Sequence, residues 1–290
     1  MPENNISCLA RAKINLDLLV CGRRDDGYHL LDSLVVFADY GDRISARPSD
    51  KLSLGITGPF AGDLIGEQDN SILKAAKLLQ NRCDIRAGAE INLVKALPVS
   101  SGIGGGSADA AATLRALGEL WNISGKSLGN DDLAKSLGAD LPVCMASETT
   151  QMTGTGEKLR PVTIDFPLYM LLVNPDVTVS TKEIFRARAQ RNAPFSSSRI
   201  LPDHITSLHQ LRDILASSGN DLQFDACRAV PEISNALTEV SRADHCLYAA
   251  MSGSGATCFG LFPDKAMADR AARNITRNFP RWWGQSVRIC

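Results

Sequence analysis

Alternating and unbroken apolar runs predict the strands of this protein. Strands are expected within residues 9–22, 38–48, 89–98 and 168–175, and a strand–turn–strand unit within 246–262. Residues 38–48 begin with a turn, and the run at 168–175 is apolar almost throughout, as in a buried strand. The polar segment 22–33 is punctuated by glycine and is expected to be a loop with a short helix.

Apolar residues that recur every three or four positions predict the helices. They are expected at residues 70–82, 107–121, 206–217, 225–242 and 265–279, with a short one within 130–145 that ends at Gly138. Asn70 or Ser71 is expected to cap the first helix. Ser107 is expected to cap the second, with Asp109 in its first turn.

Strands and helices occur in both halves of the chain, which predicts an α+β protein. Its 290 residues are enough for two modest domains. Because the pattern restarts with the buried strand at 168–175, we expect a first lobe at residues 1–160 and a second at 161–290.

The charge balance favours a small-molecule partner. The chain has 31 Lys and Arg against 32 Asp and Glu, so it carries no overall field that would attract nucleic acid or an anionic membrane. It lacks the apolar core of a signal peptide and any apolar run of roughly 20 residues, which predicts a cytoplasmic protein. The eight cysteines show no metal-ligand spacing and are expected to be reduced.

The segment PVSSGIGGGSADAA, residues 98–111, joins a predicted strand to a predicted helix through closely spaced glycines. Glycine lets backbone N–H groups approach a ligand, and a helix N-terminus adds donors and partial positive charge, so a polyphosphate is expected here. A tight turn with close packing is the alternative. The loop matches neither a Walker A loop nor G-x-G-x-x-G. Small-residue turns at 152–158 and 251–260 favour a cleft lined with backbone donors.

Three segments resemble, in order, the motifs of one superfamily of small-molecule kinases. They are ARAKINLDL at 10–18, PVSSGIGGGSADAA at 98–111 and SGSGATCFG at 252–260. The superfamily includes galactokinase, homoserine kinase, mevalonate kinase and phosphomevalonate kinase. The resemblance implies an N-terminal lobe similar to domain 2 of ribosomal protein S5, a ferredoxin-like C-terminal lobe and an active site in the cleft between them.

Three segments in combination, at 13–34, 102–111 and 137–145, resemble one branch of that superfamily closely. The acceptor substrate of this branch is 4-diphosphocytidyl-2-C-methyl-D-erythritol, an intermediate of non-mevalonate isoprenoid biosynthesis. The resemblance implies direct transfer of the γ-phosphoryl group of ATP to the 2-hydroxyl of this acceptor, with Mg²⁺ accompanying the nucleotide.

The resemblance also implies two catalytic residues, Lys13 and Asp140. Asp140 would accept the hydroxyl proton, and Lys13 would offset charge on the transferring group and keep Asp140 ionised. The alternatives are a lysine that extends to solvent and an aspartate that caps the turn before Pro142.

The remaining implied site residues form two groups. The ATP-binding group is Asn70, Pro98, Val99, Ser100, Ser101, Gly102, Ile103, Gly104, Gly105, Gly106, Ser107 and Ala108. The acceptor-binding group is Asn15, Tyr28, His29, Thr181, Phe185, Gly253, Ser254 and Gly255.

Within the acceptor group, each side chain has an expected task. Tyr28 would stack on the cytosine, His29 would hydrogen-bond its edge and Phe185 would close its other face. Asn15 lies two residues after Lys13, on the same face of the strand, and would contact the polyol. Core packing is the alternative for Phe185, and an ordinary strand asparagine is the alternative for Asn15.

The loop departs from the superfamily at Gly105 and Gly106, where serines are usual, so no Mg²⁺ ligand can be assigned. Asp109 beside a triphosphate would repel it unless the side chain turns away or orients a metal. Two rival functions stay open. One is another kinase of the superfamily, acting on mevalonate, homoserine or a sugar, and the other is a noncatalytic RNA-binding protein that reuses the S5-like lobe. The sequence does not indicate an oligomeric state.

Overall fold

The computed structural model describes residues 5–65, 70–123 and 136–290. The chain folds as two compact units. Unit 1 comprises residues 1–12, 40–99 and 104–147, and unit 2 comprises residues 13–39, 100–103 and 148–290. Each unit draws on separate stretches of the chain, and the lobe boundary at residue 160 stays a prediction.

The described residues contain the following elements. The strands are β1 (Ile6–Asn15), β2 (Leu19–Arg23), β3 (His29–Ser49), β4 (Ser53–Thr57), β5 (Gly88–Val94), β6 (Thr150–Gly154), β7 (Lys158–Pro161), β8 (Thr163–Ile164), β9 (Tyr169–Asn174), β10 (His204–Ile205), β11 (Tyr248–Met251), β12 (Cys258–Phe262) and β13 (Trp283–Arg288). The α-helices are α1 (Ser71–Cys83), α2 (Gly105–Leu120), α3 (Leu141–Ala146), α4 (Thr181–Gln190), α5 (Leu208–Ser218), α6 (Gln223–Ala229), α7 (Pro231–Ser241) and α8 (Lys265–Asn278).

Unit 1 combines a small sheet with helices. Strand β5 pairs in parallel with β4 and antiparallel with residues 43–49 of β3. Helices α1 and α2 pack against each other, and their apolar stripes are buried, with Leu79 and Leu117 fully enclosed. The recurrence that predicted these helices is therefore the recurrence of their buried faces.

The C-terminal part of unit 2 is a four-stranded antiparallel sheet in the order β11-β12-β9-β13. Helices α7 and α8 pack on this sheet and enclose a core that includes Leu171, Val240 and Phe262. This order in chain and sheet is that of the ferredoxin-like fold, which confirms the expectation for the C-terminal lobe. The α+β class is confirmed as well. No helix among the described residues is long and apolar enough to cross a bilayer.

The strand predicted at 9–22 is two strands, because residues 16–18 leave the ladder between β1 and β2. Asp17 is the cause: its Oδ1 accepts a hydrogen bond from the N–H of Leu34 at 2.8 Å, in place of a backbone acceptor. The helix expected within 22–33 was wrong. Strand β2 runs to Arg23, and a short turn leads directly into β3.

The turn expected at the start of 38–48 was also wrong, because β3 continues straight through Gly41. A Cβ at Gly41 would collide with the backbone of Ala10 and Arg11. Glycine at this position therefore allows two backbone segments to approach closely rather than allowing a turn.

The starts of two helices test the sequence-based expectations. The side chain of Asn70 accepts a hydrogen bond from the N–H of Ile72 at 2.9 Å, which confirms it as the cap of α1. Gly104 is the N-cap residue of α2, so the predictions that Ser107 caps this helix and that Asp109 lies in its first turn were wrong.

The segment predicted as one helix at 225–242 is two helices, α6 and α7, because Pro231 begins the second. Residues 130–135 of the helix expected to end at Gly138 lie outside the described residues.

Candidate active site

Unit 2 holds the first predicted motif against the glycine-rich loop. The N–H of Lys13, near the end of β1, donates a hydrogen bond to the carbonyl oxygen of Ile103 at 3.0 Å. Lys13 is 4% exposed and Asn15 is 1% exposed. The alternative of a lysine extended into solvent is therefore wrong. Strand β1 ends with two buried polar side chains, and burial of such groups costs free energy unless they have polar partners.

The turn at 252–255 lies directly on the loop at Gly102. The hydroxyl of Ser252 donates to the carbonyl oxygen of Gly102 at 3.0 Å. Gly102 has a φ of +75°, and a Cβ there would lie 2.5 Å from the carbonyl oxygen of Gly255. The protein's own backbone therefore leaves no room for a side chain at Gly102, as the tight-packing alternative predicts.

The same turn gathers several residues of the predicted acceptor group. The hydroxyl of Ser252 accepts a hydrogen bond from the N–H of Asn15 at 3.1 Å. The hydroxyls of Ser254 and Thr181 lie 2.7 Å apart. Unit 2 therefore brings Asn15, Thr181 and residues 253–255 together.

The second half of the loop begins α2 in unit 1. The N-cap residue Gly104 has a φ of 70° and makes no side-chain cap, and the first turn contains no acidic residue. The first N–H groups of a helix have no helical acceptors, and the helix dipole places partial positive charge there. The 16-residue helix α2 can therefore bind an anion such as phosphate at this end.

A buried group that we name the lysine cluster, Asp42, Lys95 and Asp109, lies beside the first residue of α2. The Nζ of Lys95 is 2.6 Å from Asp42 Oδ2 and 2.9 Å from Asp109 Oδ2. It is also 3.2 Å from the position that a Cβ would take on Gly105. Sequence reasoning missed Lys95, although a lysine in the apolar segment AEINLVKALP was a usable signal.

The two aspartates of the lysine cluster differ in how their oxygens are satisfied. Asp42 Oδ1 accepts hydrogen bonds from the N–H groups of Ala96 and Leu97. Asp109 Oδ1 is buried and has no hydrogen-bond partner among the described residues. Burial, helped by the nearby charge of Asp42 and opposed by Lys95, raises the pKa of Asp109 to about 7. Burial opposes the ammonium charge, but both carboxylates outweigh it and raise the pKa of Lys95.

The Mg²⁺ that the resemblance implies has no ligand assigned among the described residues. No group of three or more His, Cys, Asp or Glu side chains among them could hold a metal ion. Asp109, which was expected either to turn away from the phosphates or to orient a metal, lies 2.9 Å from the ammonium of Lys95.

The predicted base-binding residues lie together only in part. The rings of His29 and Phe185 stack with their centroids 4.4 Å apart, whereas the side chain of Tyr28 is on the surface, since that residue is 61% exposed. Burial, with the nearby charges of Arg23 and Arg188, lowers the pKa of His29. A neutral imidazole offers one donor and one acceptor nitrogen, which suits the polar edge of a nucleotide base.

Asp140 belongs to unit 1 and Lys13 to unit 2. Asp140 occupies the N-cap position of α3, but its side chain makes no capping hydrogen bond there. The capping alternative therefore does not describe its side chain, and its role as a base stays a prediction. Asn70 caps α1 with its side chain, and its contact with ATP also stays a prediction.

Unit 2 contains a second buried group that sequence reasoning missed, the arginine cluster of Asp17, Asp32 and Arg199. Both aspartates are 0% exposed. The guanidinium of Arg199 bonds to Asp17 Oδ2, and the backbone N–H of Arg199 donates to Asp32 Oδ2 at 2.9 Å. Asp32 Oδ1 accepts from the amide of Gln151 at 2.8 Å. No local sequence pattern indicates this cluster, because Arg199 is 182 residues from Asp17 in the chain.

Comparison with known proteins gives the same family along the whole chain. The sequence matches the GHMP kinases N terminal domain over residues 70–151 and the GHMP kinases C terminal domain over 204–281. A 4-diphosphocytidyl-2-C-methyl-D-erythritol kinase of Cereibacter sphaeroides is 47% identical over 97% of this chain and 98% of its own length. The corresponding kinase of Ruegeria pomeroyi is 48% identical over 98% of this chain and 99% of its own.

A solved structure supports the same assignment. The crystal structure of a 4-(cytidine 5'-diphospho)-2C-methyl-D-erythritol kinase has a TM-score of 0.76 to this chain, with 31% sequence identity. The similarity covers 97% of this chain and 98% of that one.

Proposed function

The chain belongs to the 4-diphosphocytidyl-2-C-methyl-D-erythritol kinases of the GHMP kinase family, and on that premise we propose that it transfers the γ-phosphoryl group of ATP to the 2-hydroxyl of 4-diphosphocytidyl-2-C-methyl-D-erythritol. The reaction is a step of non-mevalonate isoprenoid precursor biosynthesis. The observation that carries the proposal is the meeting of three motifs in unit 2. Ser252 accepts from Asn15 and donates to Gly102, and so joins the first motif, the glycine loop and the third motif.

The N-terminus of α2 and the loop before it are proposed to bind the phosphates of ATP. Support comes from the absence of an acidic residue in the first turn of α2 and from the glycine N-cap, which adds no side chain of its own. The backbone N–H groups of residues 105–107 would then donate to phosphate oxygens. Mg²⁺ would accompany these phosphates and offset their charge, and we assign it no protein ligand.

We further propose that Asp140 accepts the proton of the 2-hydroxyl while the hydroxyl oxygen attacks the γ-phosphorus and ADP leaves. Lys13 would offset the charge that spreads over the transferring group. The burial of Lys13 supports this role, since a positive charge has a larger electrostatic effect away from water. No covalent phosphoenzyme is required, because the acceptor hydroxyl is itself the nucleophile.

The cytidine end of the acceptor is proposed to bind at Tyr28, His29 and Phe185. The large exposed ring of Tyr28 supports base stacking, and the lowered pKa of His29 supports a neutral hydrogen-bonding imidazole. The present stacking of His29 on Phe185 occupies one face of each ring. A cytosine that entered between them would have to separate this pair.

An acceptor-specificity assay tests the proposed function. The enzyme is incubated with ATP and Mg²⁺ and, separately, with the cytidylyl acceptor, mevalonate, homoserine or galactose, and products are followed by ³¹P NMR. We expect a new phosphomonoester only with the cytidylyl acceptor. Phosphorylation of mevalonate, homoserine or galactose alone would leave the kinase fold intact but would refute the proposed acceptor.

Replacement of Asp140 by asparagine tests the proposed base. Asp140→Asn removes the proton acceptor but keeps the size of the side chain, so turnover should fall by about 100-fold or more while nucleotide affinity changes little. Asp63→Asn, at an exposed position of unit 1, is the matched control. If Asp140→Asn retains the turnover of the wild type, Asp140 is not the base.

A further inference from the structure

The break between β1 and β2 is held by side chains rather than by a strand ladder. Asp17 is at its centre and is 0% exposed. Its Oδ1 accepts from the N–H of Leu34 at 2.8 Å, and its Oδ2 accepts from the guanidinium of Arg199 and from the hydroxyl of Ser218. A buried carboxylate with this set of donors has one favourable position. The backbone at Asp17 is therefore fixed in space.

The backbone of Asp17 in turn fixes the hydroxyl of Ser33. Ser33 Oγ donates its single hydrogen to the carbonyl oxygen of Asp17 at 2.6 Å. The oxygen can then only accept from its other neighbour, which is the amide of Asn15 at 2.7 Å. Because only the NH₂ group of an asparagine can donate, Nδ2 of Asn15 must face Ser33.

With Nδ2 directed at Ser33, the side-chain oxygen of Asn15, Oδ1, points away from Ser33. Oδ1 lies 3.4 Å from the position that a Cβ would take on Gly253. It therefore faces the turn at 252–255, which also carries the predicted acceptor residue Ser254. Asn220 holds this turn from behind, since its amide donates to the carbonyl oxygens of Met251 and Gly253 at 2.8 Å each.

We propose that Arg199 and Ser33 are positioning residues for the acceptor site, which fix Asn15 so that its Oδ1 accepts a hydrogen bond from a hydroxyl group of the polyol. This inference rests on the proposed function and specifies one polar contact of that site. Arg199 acts through Asp17, and Ser33 acts directly on the amide. The contact selects an acceptor that carries a hydroxyl donor at this position, because Oδ1 has no hydrogen to give.

The charge of Arg199 is needed because Asp17 is buried. Without the guanidinium, an ionised carboxylate at this depth loses its strongest partner and gains free energy by turning toward water. Such a movement pulls the carbonyl oxygen of Asp17 away from Ser33. The Ser33 hydroxyl is then free to rotate, and either end of the Asn15 amide can face it.

Kinetic constants for ATP and for the acceptor, measured separately, test this inference. Ser33→Ala removes the fixed hydroxyl with little change in volume. We expect the KM for 4-diphosphocytidyl-2-C-methyl-D-erythritol to rise about tenfold, which corresponds to the loss of one hydrogen bond, while the KM for ATP stays unchanged. Arg199→Gln is expected to have an effect of the same kind. Arg212→Gln, at an exposed ion pair of α5, is the control.

A double-mutant cycle with Asn15→Ala distinguishes positioning from general damage. If Ser33 and Arg199 act through Asn15, their replacement should add less than about twofold to the acceptor KM of the Asn15→Ala enzyme. Additive effects would overturn the inference. So would an unchanged acceptor KM in Ser33→Ala, or equal rises of both KM values.

Two further arms keep the test decisive. If Arg199→Gln does not fold, Asp17→Asn combined with Arg199→Gln also removes the buried charge of Asp17, and Ser33→Ala still tests the contact alone. If the wild-type enzyme does not phosphorylate the cytidylyl acceptor at all, the proposed function fails. If the wild type is active but Ser33→Ala matches it in acceptor KM, only the positioning inference fails.

Discussion

The arginine cluster of unit 2 and the lysine cluster of unit 1 each bury two aspartates around one cation, but they satisfy those aspartates differently. In the arginine cluster every carboxylate oxygen of Asp17 and Asp32 accepts at least one hydrogen bond. In the lysine cluster Asp42 is satisfied on both oxygens, whereas Oδ1 of Asp109 has no partner among the described residues.

The difference follows from the other donors that surround each pair of aspartates. The guanidinium of Arg199 hydrogen-bonds to only one of the four carboxylate oxygens, Asp17 Oδ2. The other three accept from uncharged donors, which are the N–H groups of Leu34 and Arg199, the amide of Gln151 and the hydroxyl of Ser198. An ammonium is a compact charge, and Lys95 directs it at one oxygen of each aspartate. Among the described residues no such additional donor reaches Oδ1 of Asp109, and this carboxylate lies on α2, the helix proposed to bind ATP.

Removal of Lys95 should have the largest effect. Lys95→Met leaves Asp42 and Asp109 buried without a counter-charge, and we expect the free energy of unfolding to fall by about 3–5 kcal/mol. Urea denaturation measures the change, with Lys77→Met on the exposed face of α1 as the control. A loss no larger than that of the control would mean that the cluster contributes nothing to stability.

Removal of Arg199 should cost less. Its side chain is 20% exposed, so water can replace part of the guanidinium, and the backbone and hydroxyl donors to both aspartates remain. We expect Arg199→Gln to lower the free energy of unfolding by about 3 kcal/mol, the lower end for a broken buried ion pair. If Arg199→Gln lowers the free energy of unfolding more than Lys95→Met does, the better hydrogen-bonded cluster is not the one that tolerates loss of its cation.

The incomplete carboxylate of Asp109 should make unit 1 sensitive to pH. Its folded pKa of about 7 lies above the unfolded value, so the native state binds more protons between about pH 4 and about pH 7. The contribution of Asp109 to stability therefore falls as pH rises through this window and is constant above it. Relative to Asp109→Asn, the wild type should lose stability over this range.

Urea denaturation of the wild type and Asp109→Asn at about pH 5, 6, 7 and 8 measures this difference, since the other titrating groups are shared. The subtraction also removes the contribution of Asp17, whose pKa burial raises despite Arg199. A difference that does not change with pH would show that Asp109 is ionised throughout and is satisfied in the folded state.

Removal of one hydroxyl from the arginine cluster should have the smallest effect. Ser198 donates to Asp32 Oδ2 at 2.9 Å, but the N–H of Arg199 donates to the same oxygen. Ser198→Ala should therefore cost about 1 kcal/mol at most. Ser197→Ala, at an exposed neighbouring position, is the control for thermal denaturation. A larger loss would show that the redundancy of donors in this cluster does not protect it.

Local sequence patterns predicted four helices well, namely α1, α2, α5 and α8, but they missed α4, placed a helix within 22–33 that does not form, and predicted the strand ends poorly. The helices α1 and α8 follow from their apolar recurrence, and Asn70 caps α1 as expected, because these features depend on residues within a few positions of each other. The break at Asp17 and the unbroken passage of β3 through Gly41 were not predicted. Both depend on partners that are distant in sequence, such as Leu34 and the backbone of Ala10.

The sequence by itself determined the chemistry available to this protein. Glycines before a helix favoured a close-packed turn or an anion site, and the three motifs resembled one superfamily of kinases before any contact was known. The presence of Lys13, Asn15 and the SGSG turn could be read directly from the chain.

Only the tertiary structure decided which partner each of these residues has. In the folded protein the 252–255 turn lies on Gly102, and the hydroxyl of Ser252 accepts from the N–H of Asn15, 237 residues earlier in the chain. Lys95 lies between two aspartates. The physical reason is that hydrogen bonds and ion pairs act over about 3 Å, so their partners are set by how distant segments pack and not by their order in the chain.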